Sequence, residues 1–465
     1  MTLIKSISGI RGTIGGKPGE GLSPLDIVKY TSAYAAWVKQ HAGKDKVSVV
    51  IGRDARMSGE MVSNIVAGAL VGYGVDVIDL GLSTTPTVEM AVTELKAGGG
   101  IIITASHNPR EWNALKLLNH QGEFISDEIG RSILETADKD DFYYAAVADL
   151  GKYSRKTDFL GTHITKILEM DLVDRAAIEK ADFNIVLDAI NSSGAEAVPA
   201  LLKALGVKKI TVINEKMHGD FAHNPEPLPE HLKELSETVK KQKAQLGISV
   251  DPDVDRLAFV NENGEMFGEE YTLVAVADYV LQKRKGNTVS NLSSTRALRD
   301  VTEAAGGSYS ASAVGEVNVV KMMKETKAVI GGEGNGGVIV PDLHYGRDAL
   351  AGIAIFLSHL ANSGKTMTAL RASYPSYFIS KNKIELTPEI NVDEILSRMA
   401  AKYSGQPVNT IDGVKIEFGK EWVHLRKSNT EPIIRIYSES SDAGSAGKLA
   451  ARIMDEIRSV AAKPV

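Results

Sequence analysis

Ile101-Ile102-Ile103-Thr104-Ala105-Ser106-His107-Asn108-Pro109 is the stretch from which the fold is read. Three isoleucines form an apolar run, and the polar residues behind them end in the chain-breaking pair Asn108-Pro109. This is the profile of a buried strand and the loop leaving its C-terminal end, where open α/β sheets place their ligands. The spacing predicts a displayed Ser106 hydroxyl beside a histidine. Such pairs are ordinary in loops, so Ser106 gains meaning only from what other loops supply.

Around this stretch strands and helices alternate. Ser23-Pro24-Leu25-Asp26 opens a helix with a cap, a proline at its first position and an acid in its first turn. Ile27, Tyr30, Tyr34 and Val38 follow at helical spacing. A strand is expected over Val47–Ile51, a helix over Gly59–Tyr73, a strand over Val75–Leu80, a helix from Pro86 and a strand over Gly100–Ile103. The alternation predicts a mixed sheet with helices on both faces. Upstream, Ser8-Gly9-Ile10-Arg11-Gly12 reads either as a surface turn or as an arginine aimed at a phosphate. Downstream, Lys116 follows Ser106 by ten residues and could help stabilise transferred charge.

The 465 residues exceed one ordinary core and suggest three or four domains. A net charge of −6 provides no global positive field for nucleic acid. The absence of cysteine excludes disulfides, thiolate nucleophiles and Cys-type zinc sites, and fits a cytoplasmic protein. Met1-Thr2-Leu3-Ile4-Lys5 lacks a signal-peptide core, and no apolar run approaches the ~20 residues of a membrane span.

Further along, a strand over Phe183–Leu187 and a helix over Leu232–Lys243 repeat the α/β pattern. The strand Gly247–Val250 then runs into Asp251-Pro252-Asp253-Val254-Asp255-Arg256. Three carboxylates at alternate positions can face one way and make an oxygen-only cluster suited to Mg²⁺. An EF-hand is excluded, because Arg256 stands where that loop requires glycine and the flanks read as strands. A third α/β unit follows, with strands near Val289–Leu292 and Ala328–Ile330. It ends in Gly331-Gly332-Glu333-Gly334-Asn335-Gly336-Gly337, five glycines in seven residues. Such a loop lets a ligand approach the backbone. Glu333 and Asn335 are a natural pair for sugar hydroxyls, whereas Glu333 would repel phosphate. After Tyr374-Pro375 the pattern changes. Alternating runs at Lys383–Leu386, Val414–Phe418, Trp422–Arg426 and Ile433–Tyr437, with helices near Val392–Tyr403 and Ala443–Ala462, predict a small α+β domain. Between its last strands, Arg426-Lys427-Ser428-Asn429-Thr430-Glu431-Pro432 with Arg435 reads as a phosphate site. The expected divisions are 1–150, 151–255, 256–370 and 371–465.

A phosphorylated Ser106 would carry about −2. Each unit-charge pair it made with an aspartate ~5 Å away would cost about 3 kcal/mol at an effective dielectric of ~20, so a divalent cation is required between them.

These loops resemble those of the α-D-phosphohexomutase family: T-A-S-H-N-P, D-x-D-x-D, G-E-x-x-G and R-x-S-N/G-T-E-P, in the family's order along nearly the whole chain. The resemblance implies four domains, three related α/β mixed-sheet units and a C-terminal α+β domain, around a central cleft. It implies that Ser106 is the phosphoryl carrier and a metal ligand, with Asp251, Asp253 and Asp255 binding Mg²⁺. Glu333 and Asn335 would hold the sugar, and Arg426, Ser428, Asn429, Thr430 and Arg435 its non-reacting phosphate. Arg11, His107, Lys116 and Arg256 fall at active-site positions; His107 and Lys116 are both candidates for the general base. The implied reaction passes a phosphoryl group from Ser106 to a sugar monophosphate and back through a 1,6-bisphosphate, which also serves as activator, with a mobile fourth domain. Asn335-Gly336-Gly337 replaces the Ser-Gly-His of many relatives, and Ser293-Ser294-Thr295-Arg296 lacks the lysine that some relatives carry before the Thr-Arg pair. The Gly-Glu-Gly-Asn-Gly-Gly form with Trp112-Asn113-Ala114-Leu115-Lys116 most resembles archaeal-type phosphoglucosamine mutases. Glucosamine phosphate is therefore the favoured substrate, with mannose and glucose phosphates as alternatives. A phosphoserine hydrolase or a non-catalytic sugar-phosphate-binding protein are the competing readings.

Overall fold

A computed structural model describes residues 1–6, 9–43, 46–140, 142–385, 391–427 and 433–461. The chain forms two compact units, one of Met1–Tyr279 with Asn335–Leu370, the other of Val280–Gly334 with Arg371–Val465.

The first unit is built on two sheets. In the seven-stranded one, Ser48–Arg53 lies between the parallel strands Asp76–Leu82 and Gly99–Ile103. Trp112–Leu118 runs antiparallel to Gly99–Ile103 and pairs in turn with Gly9–Thr13. Strand periodicity sorts the side chains onto two faces. Ile51, Ile101, Ile103, Leu115 and Leu117 enter the core that includes residues of the helices Pro24–His41 and Gly59–Gly72. Val50, Ile102 and Leu118 enter the core containing Val88 and Ala91 of the helix Thr85–Glu94. Pro24–His41 starts as its sequence predicts, with a capping box between Ser23 and Asp26. The strand that carries Lys116 went unpredicted, because Trp112–Leu118 has no clean alternation.

The second sheet places Asn184–Asp188 between the parallel strands Lys209–Ile213 and Leu246–Val250. Leu257–Asn261 returns antiparallel to Leu246–Val250. Asp251–Arg256 is thus the turn of a hairpin whose two strands are wholly buried. The expected division at 255/256 runs through this hairpin; ladder hydrogen bonding keeps Leu257–Asn261 with the sheet before it. The helix Ala349–Ser363 also belongs to this unit. It is apolar on every side and buried from Ala349 to Leu360, packing on the helices Phe159–Leu168, Arg175–Ala181 and Gly194–Ala204.

The second unit contains the parallel strands Asn287–Asn291, Tyr309–Ser312 and Ala328–Glu333. Its other sheet is antiparallel, with Ile433–Ser440 between Phe378–Glu385 and Glu421–Lys427, then Val414–Phe418 and Val408–Asn409. The helices Val392–Lys402 and Ala443–Ala461 contribute Ile395, Met399, Ile453 and Ile457 to its core. The predicted α+β domain is present, and polar contacts tie it to the segment that follows the strand Asn287–Asn291 of its own unit. Lys415 Nζ donates to the Leu292 carbonyl at 2.8 Å, Ser293 Oγ pairs with His424 Nδ1 at 2.9 Å, and Arg296 N donates to Glu439 Oε1 at 2.9 Å. Among the described residues no helix is long and apolar enough to cross a membrane.

Candidate active site

Arg56 organises the serine loop. Its guanidinium pairs with Asp54 Oδ2 at 3.0 Å, both side chains fully buried. It also donates to the carbonyls of Pro109 at 2.8 Å, Trp112 at 3.0 Å, Asn108 at 2.7 Å and Ser106. Thr104 Oγ1 donates to the same Asp54 oxygen at 2.6 Å and accepts from Ser106 N at 2.9 Å. These contacts hold Ser106 at φ 48°, a left-handed conformation that a non-glycine residue adopts only when its surroundings over-determine it. Sequence reasoning missed Arg56. Its position just past a strand end was the available signal.

The expected displayed hydroxyl is instead buried. Ser106 is 3% exposed and its Oγ donates to Asp251 Oδ2 at 2.6 Å. A carboxylate 145 residues away in the chain holds the hydroxyl, so loop sequence alone could not show it.

The aspartate hairpin is equally constrained. Asp251 Oδ1 accepts the amides of Asp255 and Arg256, both at 3.1 Å, which folds the turn back on itself. Val254 sits at φ 62°, an outlier for a β-branched residue. Asp253 Oδ2 accepts from Thr85 Oγ1 at 2.6 Å and pairs with Lys116 Nζ at 2.7 Å. Asp255 Oδ2 pairs with Arg347 at 2.8 Å and lies 3.4 Å from Lys116 Nζ. Asp253 Oδ1 and Asp255 Oδ1 are buried without a hydrogen-bond partner. One oxygen from each of Asp251, Asp253 and Asp255 lies within 4.8 Å of the others. Three buried carboxylates that converge, two of them with an oxygen lacking a hydrogen-bond partner, fit a hard divalent cation held by oxygen ligands.

The electrostatics follow from burial and neighbours. Burial, then Asp255 and Asp253, push the Asp251 carboxyl well above the usual range. Burial pushes Asp255 the same way, but Arg347, Lys116 and Arg256 outweigh it and hold Asp255 below that range. Lys116 is pulled down by burial yet held above its ordinary value by Asp253 and Asp255, so it stays an ammonium ion. His107, with Nδ1 3.5 Å from Ser106 Oγ, is lowered to about 2 by burial and by the cations Arg256 and Arg11, so it is neutral. Arg11 donates to Asn108 Oδ1 at 2.7 Å and so borders the serine loop. The guanidinium of Arg256 lies 3.8 Å from Glu226.

In the second unit, Glu333 Oε1 accepts from Asn291 Nδ2 at 2.8 Å and Gly315 N at 3.1 Å, which fixes its carboxylate. Asn335 belongs to the first unit, and its Oδ1 caps Gly337 N at 3.2 Å. Arg426 pairs with Asp412 at 2.9 Å and stands directly across the sheet from the exposed Arg435. Like charges opposite one another destabilise a sheet, and an anion between them relieves the cost. Ser428, Asn429 and Thr430 lie outside the described residues.

Comparisons with known proteins agree along the whole chain. Residues 3–144, 162–264 and 268–377 match alpha/beta/alpha domains I, II and III of phosphoglucomutase/phosphomannomutase, and 382–456 match its C-terminal domain. A phosphoglucomutase/phosphomannomutase of Thermococcus kodakarensis is 36% identical, covering 94% of this chain and 95% of the relative. A phosphoglucosamine/phosphogalactosamine mutase of Sulfurisphaera tokodaii is 33% identical, covering 95% and 96%. The crystal structure of a phosphoglucomutase/phosphomannomutase family protein from Burkholderia thailandensis is similar with a TM-score of 0.82 at 26% identity, covering 98% of this chain and 97% of that one.

Proposed function

Because the chain belongs to the phosphoglucomutase/phosphomannomutase family, the α-D-phosphohexomutases, we propose that it interconverts the 6-phospho and 1-phospho forms of glucosamine through a phosphorylated Ser106. Members of this family are isomerases, and the chain is an enzyme of that class. The observation that carries the assignment of the carrier is the Ser106 hydroxyl on Asp251, beside two orphaned carboxylate oxygens.

In the first half-reaction a sugar hydroxyl oxygen bonds to phosphorus as the bond to Ser106 Oγ breaks, and the departing Oγ takes up a proton in exchange for the one the sugar hydroxyl gives up. The hydroxyl's proton passes to a base; the neutral His107 imidazole offers a lone pair, and the negative phosphoryl group beside it would raise the basicity that burial, Arg256 and Arg11 depress. Lys116, held protonated by its aspartate partners, supplies positive charge and not a lone pair. Arg11 and Arg256 add charge around the loop, while Arg56 holds the oxygen in position. In the second half-reaction Ser106 takes the other phosphoryl group of the 1,6-bisphosphate, and the net change is isomerisation. Asp251, Asp253 and Asp255, together with the phosphoryl group on Ser106, would hold Mg²⁺, which supplies charge neutralisation and in-line alignment when bound. Glu333 and Asn335 grip sugar hydroxyls, and Arg426, Ser428, Asn429, Thr430 and Arg435 hold the distal phosphate.

The relative acting on glucosamine and galactosamine phosphates supports the amino sugar, and the more similar phosphoglucomutase/phosphomannomutase keeps mannose and glucose phosphates as the second reading. We place the enzyme in the cytoplasm, with sugar phosphates as its small-molecule partners and a 1,6-bisphosphate as activator. The test is kcat/KM for glucosamine, mannose and glucose phosphates, each with its 1,6-bisphosphate. The highest value should belong to glucosamine phosphate. Accumulation of inorganic phosphate in place of isomer, or turnover of none of the three, would overturn the assignment.

A further inference from the structure

In the first unit, a second set of ligand-type side chains, distinct from the three aspartates, converges. His163 comes from the helix Phe159–Leu168, His344 from the loop before Ala349–Ser363, and Asp348 is the N-cap of that helix. Asp348 Oδ1 accepts the amides of Leu350 at 2.8 Å and Ala351 at 3.1 Å. Its other oxygen faces both imidazoles, 2.9 Å from His163 Nε2 and 3.1 Å from His344 Nε2. His163 and Asp348 are buried, and the His344 side chain is 10% exposed. One ligand atom from each of the three lies within 4.8 Å of the others.

Two further observations point to an ion. The ring nitrogen His344 Nδ1 is buried and makes no hydrogen bond. It lies 3.4 Å from Glu89 Oε2, so His344 stands between two carboxylates. A carboxylate behind a ligating histidine is the usual outer partner of a metal-bound imidazole, and Thr87 Oγ1 serves His163 Nδ1 in the same way at 2.9 Å. The loop is shaped to this arrangement: a Cβ on Gly346 would fall 1.9 Å from Glu89 Oε2. The spacing also fits. Bonds of about 2.0–2.1 Å to a tetrahedral ion place neighbouring ligand atoms roughly 3.3 Å apart. The edges of 2.9 and 3.1 Å need open only by a few tenths of an ångström.

We propose that His163, His344 and Asp348 form a second metal site, selective for a borderline divalent ion of the Zn²⁺ class. Two imidazoles and one carboxylate suit Zn²⁺ or Co²⁺ and not Mg²⁺, which the oxygen-only aspartate hairpin suits. The ion is structural and acts on the site through positioning. It pins the loop before Ala349, and Arg347 in that loop reaches Asp255 at 2.8 Å.

The test uses the full chain, stripped with a chelator, given Co²⁺ in excess Mg²⁺ and desalted into Mg²⁺ buffer. The wild type should retain about one Co²⁺ per chain with the intense visible bands of a low-coordinate site, and Zn²⁺ should bleach them. The thermal midpoint should rise with Zn²⁺. His344→Gln and His163→Gln should release the ion, whereas Asp253→Asn should keep it. X-ray absorption on the wild type should show imidazole nitrogen around the ion, which decides the matter even if a histidine variant does not fold. Release of all Co²⁺ by the wild type, or an oxygen-only ligand shell, would overturn the proposal and leave a hydrogen-bonded buried cluster. None of these readouts depends on mutase activity.

Discussion

Arg56→Met keeps the length and most of the volume of the side chain and removes every donor. It breaks the fully buried pair with Asp54 and takes the donor from the carbonyls of Ser106, Asn108, Pro109 and Trp112. Stranding one partner of a buried ion pair costs about 3–5 kcal/mol. Each charge-assisted hydrogen bond is worth about 1.5–3 kcal/mol, but such losses in one network do not add. Burial already raises the Asp54 carboxyl, so protonation of Asp54 caps the penalty. The expected stability loss is therefore about 3–5 kcal/mol. The larger effect falls on catalysis. Without the clamp, the left-handed Ser106 relaxes, and a displacement of ~1 Å at a reacting atom costs on the order of 100-fold in rate. Arg56→Lys should fare little better, since an ammonium cannot serve the carboxylate and four carbonyls at once. The assay is kcat at saturating substrate below the unfolding range set by circular dichroism, together with urea unfolding. If folded Arg56→Met turns over within about twofold of the wild type, the clamp does not set the serine geometry and the reasoning fails.

Three further outcomes are expected. Ser106→Ala should abolish isomerisation and remove the mass increment of one phosphate from the intact protein; residual phosphate on the variant would assign the carrier elsewhere. Arg435→Ala should raise KM at least tenfold, with little change in kcat, while stability stays within about 0.5 kcal/mol or improves, because an exposed cation facing Arg426 is removed. An unchanged KM would refute the phosphate site. His223, 2.8 Å from Asp188, is pulled down by burial but raised overall by Asp188, with the Asn224 carbonyl and Glu234 adding to it. A folded pKa above the unfolded value means stabilisation that is complete below ~6.5 and lost as pH rises through the folded value. The difference in urea-unfolding free energy between wild type and His223→Gln should therefore shrink between pH 6 and pH 9, and a constant gap would contradict the pairing.

Much of the architecture was legible because it is written locally. The capping box at Ser23 and Asp26, the apolar run before Thr104 and the alternation over Val414–Phe418 each specify an element without distant help. The hairpin at Asp251–Arg256 was placed correctly between strands, but the division at 255/256 was not. Only pairing of Leu246–Val250 with Leu257–Asn261 shows to which sheet the second strand belongs. Arg347 drew no role from its sequence, because its pairing with Asp255 spans 92 residues. Asp54 and Arg56 looked like any charged strand-end residues.

By itself the amino-acid sequence determined the α/β and α+β composition, the order of the loops and the chemical character each carries, since periodicity, glycine and proline placement and carboxylate spacing are properties of short segments. Tertiary structure alone decided that Ser106 is buried on Asp251, that Arg56 holds it there, that Lys116 and Arg347 partner the aspartates, and that His163 meets His344 and Asp348. These pairings join residues far apart in the chain. Their energies come from burial in a shared low-dielectric interior, which exists only once the sheets have packed.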